Sequence, residues 1–451
     1  MISQLVAAVR ARKVSPLELV DEALRRISTY DPALGAVVAI DAEQARREAR
    51  AATSFDGALA GIPVLIKDLT KAIGMPTRYG CHLYADALPD THDDVVAARY
   101  RTAGAIIVGK TNTPAFGHQA LTTNLLHGPT RNPWNLAQSP GGSSGGSAAA
   151  LAAALAPLAS TTDGGGSVRL PASLCGLVGY KPTNGAIGRT PSPRWMWYST
   201  PGATGRTVAD VIVEANVLFG PVPGDLSAFP PHALDMRLTA PRHVVAIRGL
   251  RGAVEPIVGE AFDAMVTTIE ALGISVDVAD SYTSEDVIWA WVRSAATELA
   301  QSLEGIDWSG FEDTLLPQLH LGAKTTASEY ISDQRTRFRA LADLENLIGD
   351  DGVLVCPTIN VSSYPAVGPV TLTVGQSRVM GSAFNTPDFN ATGSPGVSIP
   401  MGLDEHGVPM GFQIIAPRFR DGLALGLAAR LEQVRPWPLV ARGYEAWPTF
   451  D

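Results

Sequence analysis

Residues 139–171 read SPGGSSGGSAAALAAALAPLASTTDGGGSVRLP and contain two glycine-serine clusters separated by a stretch rich in alanine. Glycine has no side chain, so its backbone can approach a substrate closely and point N–H groups at a developing oxyanion. Serines among such glycines are therefore candidate nucleophiles for acyl transfer. No histidine lies between His127 and His232, so the usual general base is absent from this part of the chain.

The spacing within this stretch predicts that its two clusters meet in space. Alanine and leucine favour a helix over about 147–156, and residues 158–162 are expected to return as a strand. Ten helical residues rise about 15 Å, and five strand residues rise about 16 Å. If the two elements run antiparallel, Ser143 or Ser144 lies beside Ser167, although Ser143 and Ser167 are 24 residues apart.

A lysine in another part of the chain can reach the same place. Residues 61–66 read GIPVLI and predict a buried strand that ends at Lys67. Ligands of open α/β sheets gather at the carboxyl ends of the strands. A lysine held there among apolar neighbours loses hydration, which favours its neutral form and makes it a candidate base. The alternative is an edge lysine whose amine extends to water.

Short apolar runs alternate with helical segments from Gly61 onward, which predicts an α/β fold with a mixed central β-sheet covered by helices on both sides. Later runs of this kind are HVVAIRG (243–249), GISVDVAD (273–280), GVLVCPT (352–358), PGVSIPM (395–401) and GFQIIAP (411–417). Near the N-terminus, Ser15-Pro-Leu-Glu18 predicts a capped helix that runs to about Tyr30.

Composition restricts the class of protein. The chain has 451 residues, a hydrophobic fraction of 46% and a net charge of −9 without basic runs, so neither nucleic acid nor a membrane surface is an expected partner. The three cysteines are far apart and form no CxxC motif, so we expect neither a disulfide framework nor a metal site such as a zinc site. The longest apolar stretch, 148–159, is too short to span a bilayer. A soluble, cytoplasmic protein is expected.

Two other motifs compete with this interpretation. Residues 104–111 satisfy the P-loop pattern GxxxxGK[ST], yet their middle four residues form an apolar run typical of a buried strand. Residues 142–146 satisfy GxSxG, which would make Ser144 the nucleophile of an α/β-hydrolase-type esterase with a downstream histidine. That elbow requires a strand directly before it, and residues 132–140 are a poor strand sequence.

Several long motifs occur in the order found in the amidase signature family, which this chain resembles. They are GIPVLIKD (61–68), GKTNTPAFG (109–117), the segment 127–183 and the segment 384–417. The resemblance implies a single domain over 1–451, with a catalytic core at 61–215 and the C-terminal part of the core at 350–433. The segment 221–349 is divergent, is expected to be mostly helical and is predicted to shape the substrate pocket.

By this resemblance, the catalytic residues are a lysine base at Lys67, a bridging serine after a cis peptide bond at Ser143 and a nucleophile at Ser167. The family's oxyanion loop corresponds to Gly164, Gly165, Gly166 and Ser167, which Asp163 and Arg169 are expected to brace. Gly164 departs from the family, which often has a larger residue there, so a slightly roomier or looser loop is predicted. Residues expected beside the substrate are Gly117, His118, Gln119, Trp195, Trp197 and Tyr198.

The activity implied by the resemblance is hydrolysis of C–N bonds in apolar or aromatic amides, including anilides and cyclic oligoamides, or in carbamates. The reaction would proceed through an acyl-enzyme, without a cofactor, in a monomer or homodimer. The family also contains subunits of glutamine-dependent tRNA amidotransferases, which act within multiprotein complexes. Such a subunit is the main alternative function.

Overall fold

The computed structural model describes residues 1–190, 195–368, 373–374, 377–378 and 383–450. Its helices are α1 (Ile2–Arg10), α2 (Pro16–Leu34), α3 (Ala42–Ala51), α4 (Val95–Thr102), α5 (Gly145–Ala152), α6 (Arg169–Cys175), α7 (Val208–Leu218), α8 (Pro256–Ala271), α9 (Val287–Ser302), α10 (Leu316–Lys324), α11 (Ala327–Ile348), α12 (Pro387–Ala391) and α13 (Asp421–Val434). Its strands are β1 (Val37–Ile40), β2 (Pro63–Lys67), β3 (Ile106–Thr111), β4 (Leu158–Ala159), β5 (Thr161–Asp163), β6 (Val178–Lys181), β7 (Thr200–Gly205), β8 (His243–Ala246), β9 (Ser275–Val278), β10 (Gly352–Pro357), β11 (Thr373–Val374), β12 (Ser377–Arg378), β13 (Gly396–Leu403) and β14 (Pro409–Ile415).

The strands form two main mixed sheets, so the predicted α/β class is confirmed, although the central sheet is divided. The smaller sheet has the order β1-β3-β2-β4, and the larger has the order β5-β7-β6-β13-β14-β10-β8-β9. In the smaller sheet, β2 runs parallel to both β3 and β4, which places Lys67 at the carboxyl end of an inner strand. Only Ser160 separates β4 from β5, so the chain passes from one sheet to the other there.

Apolar side chains of both sheets pack against helices. The largest core cluster lies between the eight-stranded sheet and helices α7, α8 and α13, while α6 and α11 also pack on that sheet. A second cluster joins α5 and α2 to the four-stranded sheet. Every residue of α5 is buried, because its small side chains let it lie closely against β2 and α6. This buried helix starts directly after Ser144.

Helix boundaries differ from the sequence prediction in two places. The alanine-rich helix ends at Ala152 rather than near residue 156, and Ala154 has a left-handed backbone with φ of 55°. Helix α2 has the predicted capping box between Ser15 and Glu18 but continues past Pro32 to Leu34. Within the described ranges, none of the helices is both long enough and apolar enough to cross a membrane.

Candidate active site

The side chain of Lys67 is fully buried at the end of β2, where it meets three hydroxyl groups. Its Nζ atom lies 2.8 Å from both Ser143 Oγ and Ser144 Oγ. A third contact, 3.0 Å long, joins Nζ to Thr162 Oγ1. Burial lowers the pKa of the amine to about 7, although the nearby charge of Asp163 acts in the opposite direction. At neutral pH about half of Lys67 is therefore unprotonated and able to accept a proton.

The hydrogen bonds around Lys67 separate the roles of the two adjacent serines. The Ser144 hydroxyl donates to the carbonyl oxygen of Thr162 at 3.3 Å, so it accepts from Lys67. A neutral amine has two N–H donors and one lone pair. After one N–H is used for Ser144, the other N–H and the lone pair remain for Thr162 and Ser143. This arrangement permits Lys67 to accept the Ser143 proton.

Ser143 lies beside the 115–117 turn. The peptide bond between Gly142 and Ser143 is cis, as the resemblance implied. Gly117 has a φ of 74°, and a Cβ atom there would lie 2.9 Å from Leu69 Cδ1 and 3.1 Å from Ser143 Oγ. Glycine at position 117 therefore allows the turn to pass beside the Ser143 hydroxyl.

The glycine loop between β5 and α6 is held by the carboxylate of Asp163, as predicted. Its Oδ1 accepts from the Gly166 amide at 2.6 Å and its Oδ2 accepts from the Val168 amide at 3.2 Å. Arg169, which is also fully buried, donates to both carboxylate oxygens. Burial alone would raise the pKa of Asp163, but the Arg169 guanidinium lowers it to about 2. The carboxylate therefore stays charged throughout the physiological pH range.

The backbone amides of this loop divide into two groups. The Gly166 amide is used by Asp163, whereas the amides of Gly164, Gly165 and Ser167 have no acceptor among the residues that the structure describes. The Ser167 side chain is 8% exposed and faces the same cavity as Ser143. Three of the four predicted oxyanion-loop residues thus have an N–H without an acceptor among the described residues, and two of these three, Gly164 and Ser167, line the cavity.

The cavity in front of the two serines has a volume of about 320 Å³. Apolar, aromatic and polar side chains all contribute to its lining. The apolar and aromatic lining residues include Leu69, Tyr79, Val95, Val96 and Phe116; further lining comes from Gly117, Thr162, Gly164 and Trp195, with Lys71, Asp94 and Arg189 as charged lining residues. Within the described part of the chain, no cluster of three or more His, Cys, Asp or Glu side chains is arranged to hold a metal ion.

Of the residues predicted to contact substrate, Gly117 and Trp195 line this cavity, whereas His118, Gln119, Trp197 and Tyr198 are not among its lining residues. The buried His118 ring donates from Nδ1 to the Ala115 carbonyl at 2.8 Å and lies 3.1 Å from Thr314 Oγ1 through Nε2. Burial lowers the pKa of His118 to about 4. This histidine therefore joins the 115–119 loop to the divergent segment.

The aromatic residues after the signature also differ from one another in their environment. Tyr198 is fully buried, with the guanidinium of Arg337 lying 4.4 Å from its ring centroid. The Trp197 side chain is 45% exposed, and its carbonyl accepts from Asn184 at 3.0 Å. Contact of either residue with substrate remains a prediction.

Two residues that the sequence analysis missed bind carbonyl groups of the glycine loop. Trp291 Nε1 donates to the Gly164 carbonyl at 2.8 Å, and Thr386 Oγ1 donates to the Gly165 carbonyl at 2.7 Å. The expectation of a roomier loop at Gly164 is wrong, because a Cβ atom there would lie 2.2 Å from Trp195 Cε3. The glycine at position 164, where the family often has a larger residue, was the one feature of the sequence that could have indicated a bulky side chain packed against this position.

The competing motifs do not form the sites that they suggested. Ser144 is fully buried, lies outside the cavity lining and has no strand directly before it, so the esterase elbow is absent. Residues 106–111 of the P-loop pattern form the buried strand β3. Lys110 within it is paired with Asp68 at 3.4 Å and donates to Thr77 at 2.5 Å.

The chain is similar to known amidases over nearly its whole length. A family model described as Amidase matches residues 18–425. An acylamidase from Rhodococcus erythropolis is 33% identical, covering 96% of this chain and 95% of the relative. The 6-aminohexanoate-cyclic-dimer hydrolase of Paenarthrobacter ureafaciens is 32% identical, covering 95% and 93%. The crystal structure of a bacterial aryl acylamidase of the amidase signature family superimposes with a TM-score of 0.86 at 27% identity, covering 96% and 95%.

Proposed function

The chain belongs to the amidase family of amide hydrolases, and from this premise we propose that it cleaves apolar or aromatic amides through an acyl-enzyme on Ser167. The observation that carries the proposal is the buried Lys67 amine, whose pKa of about 7 leaves it ready to accept a proton from Ser143. Ser143 and Ser167 face one cavity, which supports a relay of protons between them.

In the first half-reaction, Lys67 takes a proton from Ser143 while Ser143 takes the proton of Ser167. The Ser167 oxygen then forms a bond to the substrate carbonyl carbon, and the carbonyl π electrons move to oxygen. We expect the amides of Gly164, Gly165 and Ser167, which have no acceptor among the described residues, to stabilise this oxyanion. When the oxyanion collapses, the C–N bond breaks and the amine leaves with a proton from Ser143. Ser143 then regains a proton from Lys67.

The second half-reaction uses the same groups with water as the nucleophile. Lys67, through Ser143, removes a proton from water, and the hydroxide oxygen bonds to the acyl carbon. Collapse breaks the ester bond, the carboxylic acid is released and Ser167 regains its proton. Substrate and water therefore supply every atom of the products, and the enzyme is regenerated.

The lining of the cavity supports an apolar or aromatic acyl or amine group. The lining includes the aromatic rings of Tyr79 and Phe116 and the aliphatic side chains of Leu69, Val95 and Val96, and such a lining favours apolar ligand surface. Acyl anilides are the substrates that we propose to test first. Dialkyl carbamates place the same carbonyl between two apolar groups and form the second class. We propose that the enzyme acts without other subunits, as a monomer or homodimer.

A hydrolysis screen and covalent labelling test this function. The isolated chain should hydrolyse an acyl anilide, and a fluorophosphonate should add to Ser167, as located by peptide mass spectrometry. Ser167→Ala should lose both the adduct and turnover. Ser144→Ala should keep at least about a tenth of the activity, because it removes one neutral hydrogen bond to Lys67.

Two results would contradict the proposal. An active Ser167→Ala variant together with an inactive Ser144→Ala variant would assign the nucleophile to Ser144. Labelling of Ser167 without hydrolysis of any anilide, primary amide, ester or carbamate would instead favour an amidotransferase subunit that requires partners.

A further inference from the structure

A tryptophan from the divergent segment packs directly on the glycine loop. Trp291 lies on α9, 127 residues away from Gly164 in sequence, and its indole N–H donates to the Gly164 carbonyl at 2.8 Å. A Cβ atom at Gly165 would lie 2.2 Å from Trp291 Cζ2, so the ring occupies the volume that a side chain would need. Helix α9 thus reaches the loop through both a hydrogen bond and close packing.

The hydrogen bond to the Gly164 carbonyl determines the direction of the next amide. In a trans peptide, the carbonyl oxygen and the amide hydrogen point in opposite directions from one plane. Binding the Gly164 oxygen to Trp291 therefore turns the Gly165 N–H away from α9. That N–H has no acceptor among the described residues, and the loop that bears it borders the cavity at Gly164 and Ser167.

The neighbouring peptide planes of the loop are held by other parts of the fold. Thr386 binds the Gly165 carbonyl at 2.7 Å, and the Leu170 amide donates to the Gly166 carbonyl at 2.7 Å. The Trp195 ring covers Gly164 and lies 6.1 Å from the Trp291 ring at an interplanar angle of 75°. The peptide plane between Gly164 and Gly165 is thus the one whose carbonyl accepts a hydrogen bond from the divergent segment, through Trp291.

Three consecutive glycines have no intrinsic stiffness, since glycine loses more backbone freedom on ordering than any other residue. An oxyanion site is effective only if its donors are oriented before the charge develops. We propose that Trp291 is a positioning residue that orients the Gly165 N–H toward the oxyanion. This inference rests on the proposed function and deepens it, because it gives the divergent segment a part in transition-state stabilisation.

The test compares two tryptophans on the same helix. Trp291→Phe keeps an aromatic ring beside Gly165 but removes the N–H donor, while Trp289→Phe makes the same change at a residue that is 47% exposed. For Trp291→Phe we expect kcat on an acyl anilide to fall roughly tenfold, the effect of losing one hydrogen bond, with KM changed less than twofold. Trp289→Phe should match the wild type in both constants.

A transition-state analogue supplies a readout that loss of packing alone would not produce. In a trifluoromethyl ketone with the same acyl group, Ser167 attacks the ketone carbonyl and the product carries an oxyanion. Its inhibition constant should weaken by the same factor as kcat in Trp291→Phe, whereas binding of an inhibitor without an electrophilic carbonyl should not change. Equal inhibition constants for Trp291→Phe and wild type would overturn the inference.

A shape-preserving replacement covers the case in which Trp291→Phe does not fold. Benzothienylalanine incorporated at position 291 keeps the bicyclic shape but replaces the N–H by sulfur. It should reproduce the loss in kcat with unchanged thermal unfolding, and wild-type kcat in this variant would refute the role of the hydrogen bond. Failure of the proposed function is distinguishable, because the wild-type chain would then either give no turnover or turn over through Ser144 rather than Ser167.

Discussion

The protonation of Lys67 should control the pH dependence of catalysis. Burial lowers the pKa of this amine to about 7, so about half of it is neutral at pH 7 and about 1% at pH 5. Because only the neutral amine accepts a proton, kcat/KM should fall about 50-fold between pH 7 and pH 5 and level off above about pH 8. A lysine with its ordinary pKa near 10.5 would instead give a rate that rises about tenfold per pH unit up to about pH 10.

The assay is the initial rate of anilide hydrolysis from pH 5 to pH 10 at substrate concentrations below KM. Lys67→Met should lose nearly all activity at every pH, while Lys324→Met, at an exposed lysine, should keep the wild-type profile. Burial also lowers the pKa of Lys181 to about 7, but this lysine is not among the cavity-lining residues, so Lys181→Met should keep the acid limb. A rate that is flat down to pH 5, or one that still rises at pH 10, would refute a neutral lysine base.

Further predictions concern stability and the glycine loop. Between about pH 7 and pH 10.5, Lys67 is protonated in the unfolded chain but neutral in the folded chain. The unfolding free energy of the wild type, measured relative to that of Lys67→Met, should therefore rise by about 1.4 kcal/mol per pH unit over this range. Urea unfolding of both proteins from pH 7 to pH 9 measures the difference in unfolding free energy between them. A difference that stays constant with pH would contradict the prediction. Arg169→Met leaves the Asp163 carboxylate buried without its cation, and we expect a loss of about 3–5 kcal/mol in unfolding free energy by the same method. Gly164→Ala places a methyl group against the Trp195 ring, so kcat should fall at least about tenfold. In the double variant with Trp195→Ala, the effects of the two substitutions on kcat should be less than additive, which a double-mutant cycle would detect.

Much of this site could be predicted from short-range features of the sequence. The run GIPVLIK is apolar and ends in a lysine, which indicated a buried strand with Lys67 at its carboxyl end, and the structure has β2 there. The glycine-serine clusters and the alanine stretch between them indicated that Ser143 and Ser167 approach each other, and both face one cavity. Such predictions succeed because strand and helix formation depend on neighbouring side chains and on fixed rises per residue.

Sequence spacing could not distinguish the hydroxyl groups or the amides within each cluster. Ser143 and Ser144 are adjacent and both lie 2.8 Å from the Lys67 amine, yet Ser143 alone lines the cavity. In the second cluster, Gly166 gives its amide to Asp163 while the amides of its neighbours have no acceptor among the described residues. The direction of each donor depends on where a distant acceptor lies in three dimensions.

The sequence alone determined the class of fold, the lysine at the end of its strand and the two serine clusters, because each is encoded within a few neighbouring residues. Only the tertiary structure decided which groups face the substrate and what restrains them. Trp291 is the clearest case, since it belongs to a segment without recognisable motifs and meets Gly164 across 127 residues of chain. Close packing and hydrogen-bond direction depend on atoms that approach one another only after folding, so the neighbourhood of the glycine loop was set by the fold as a whole.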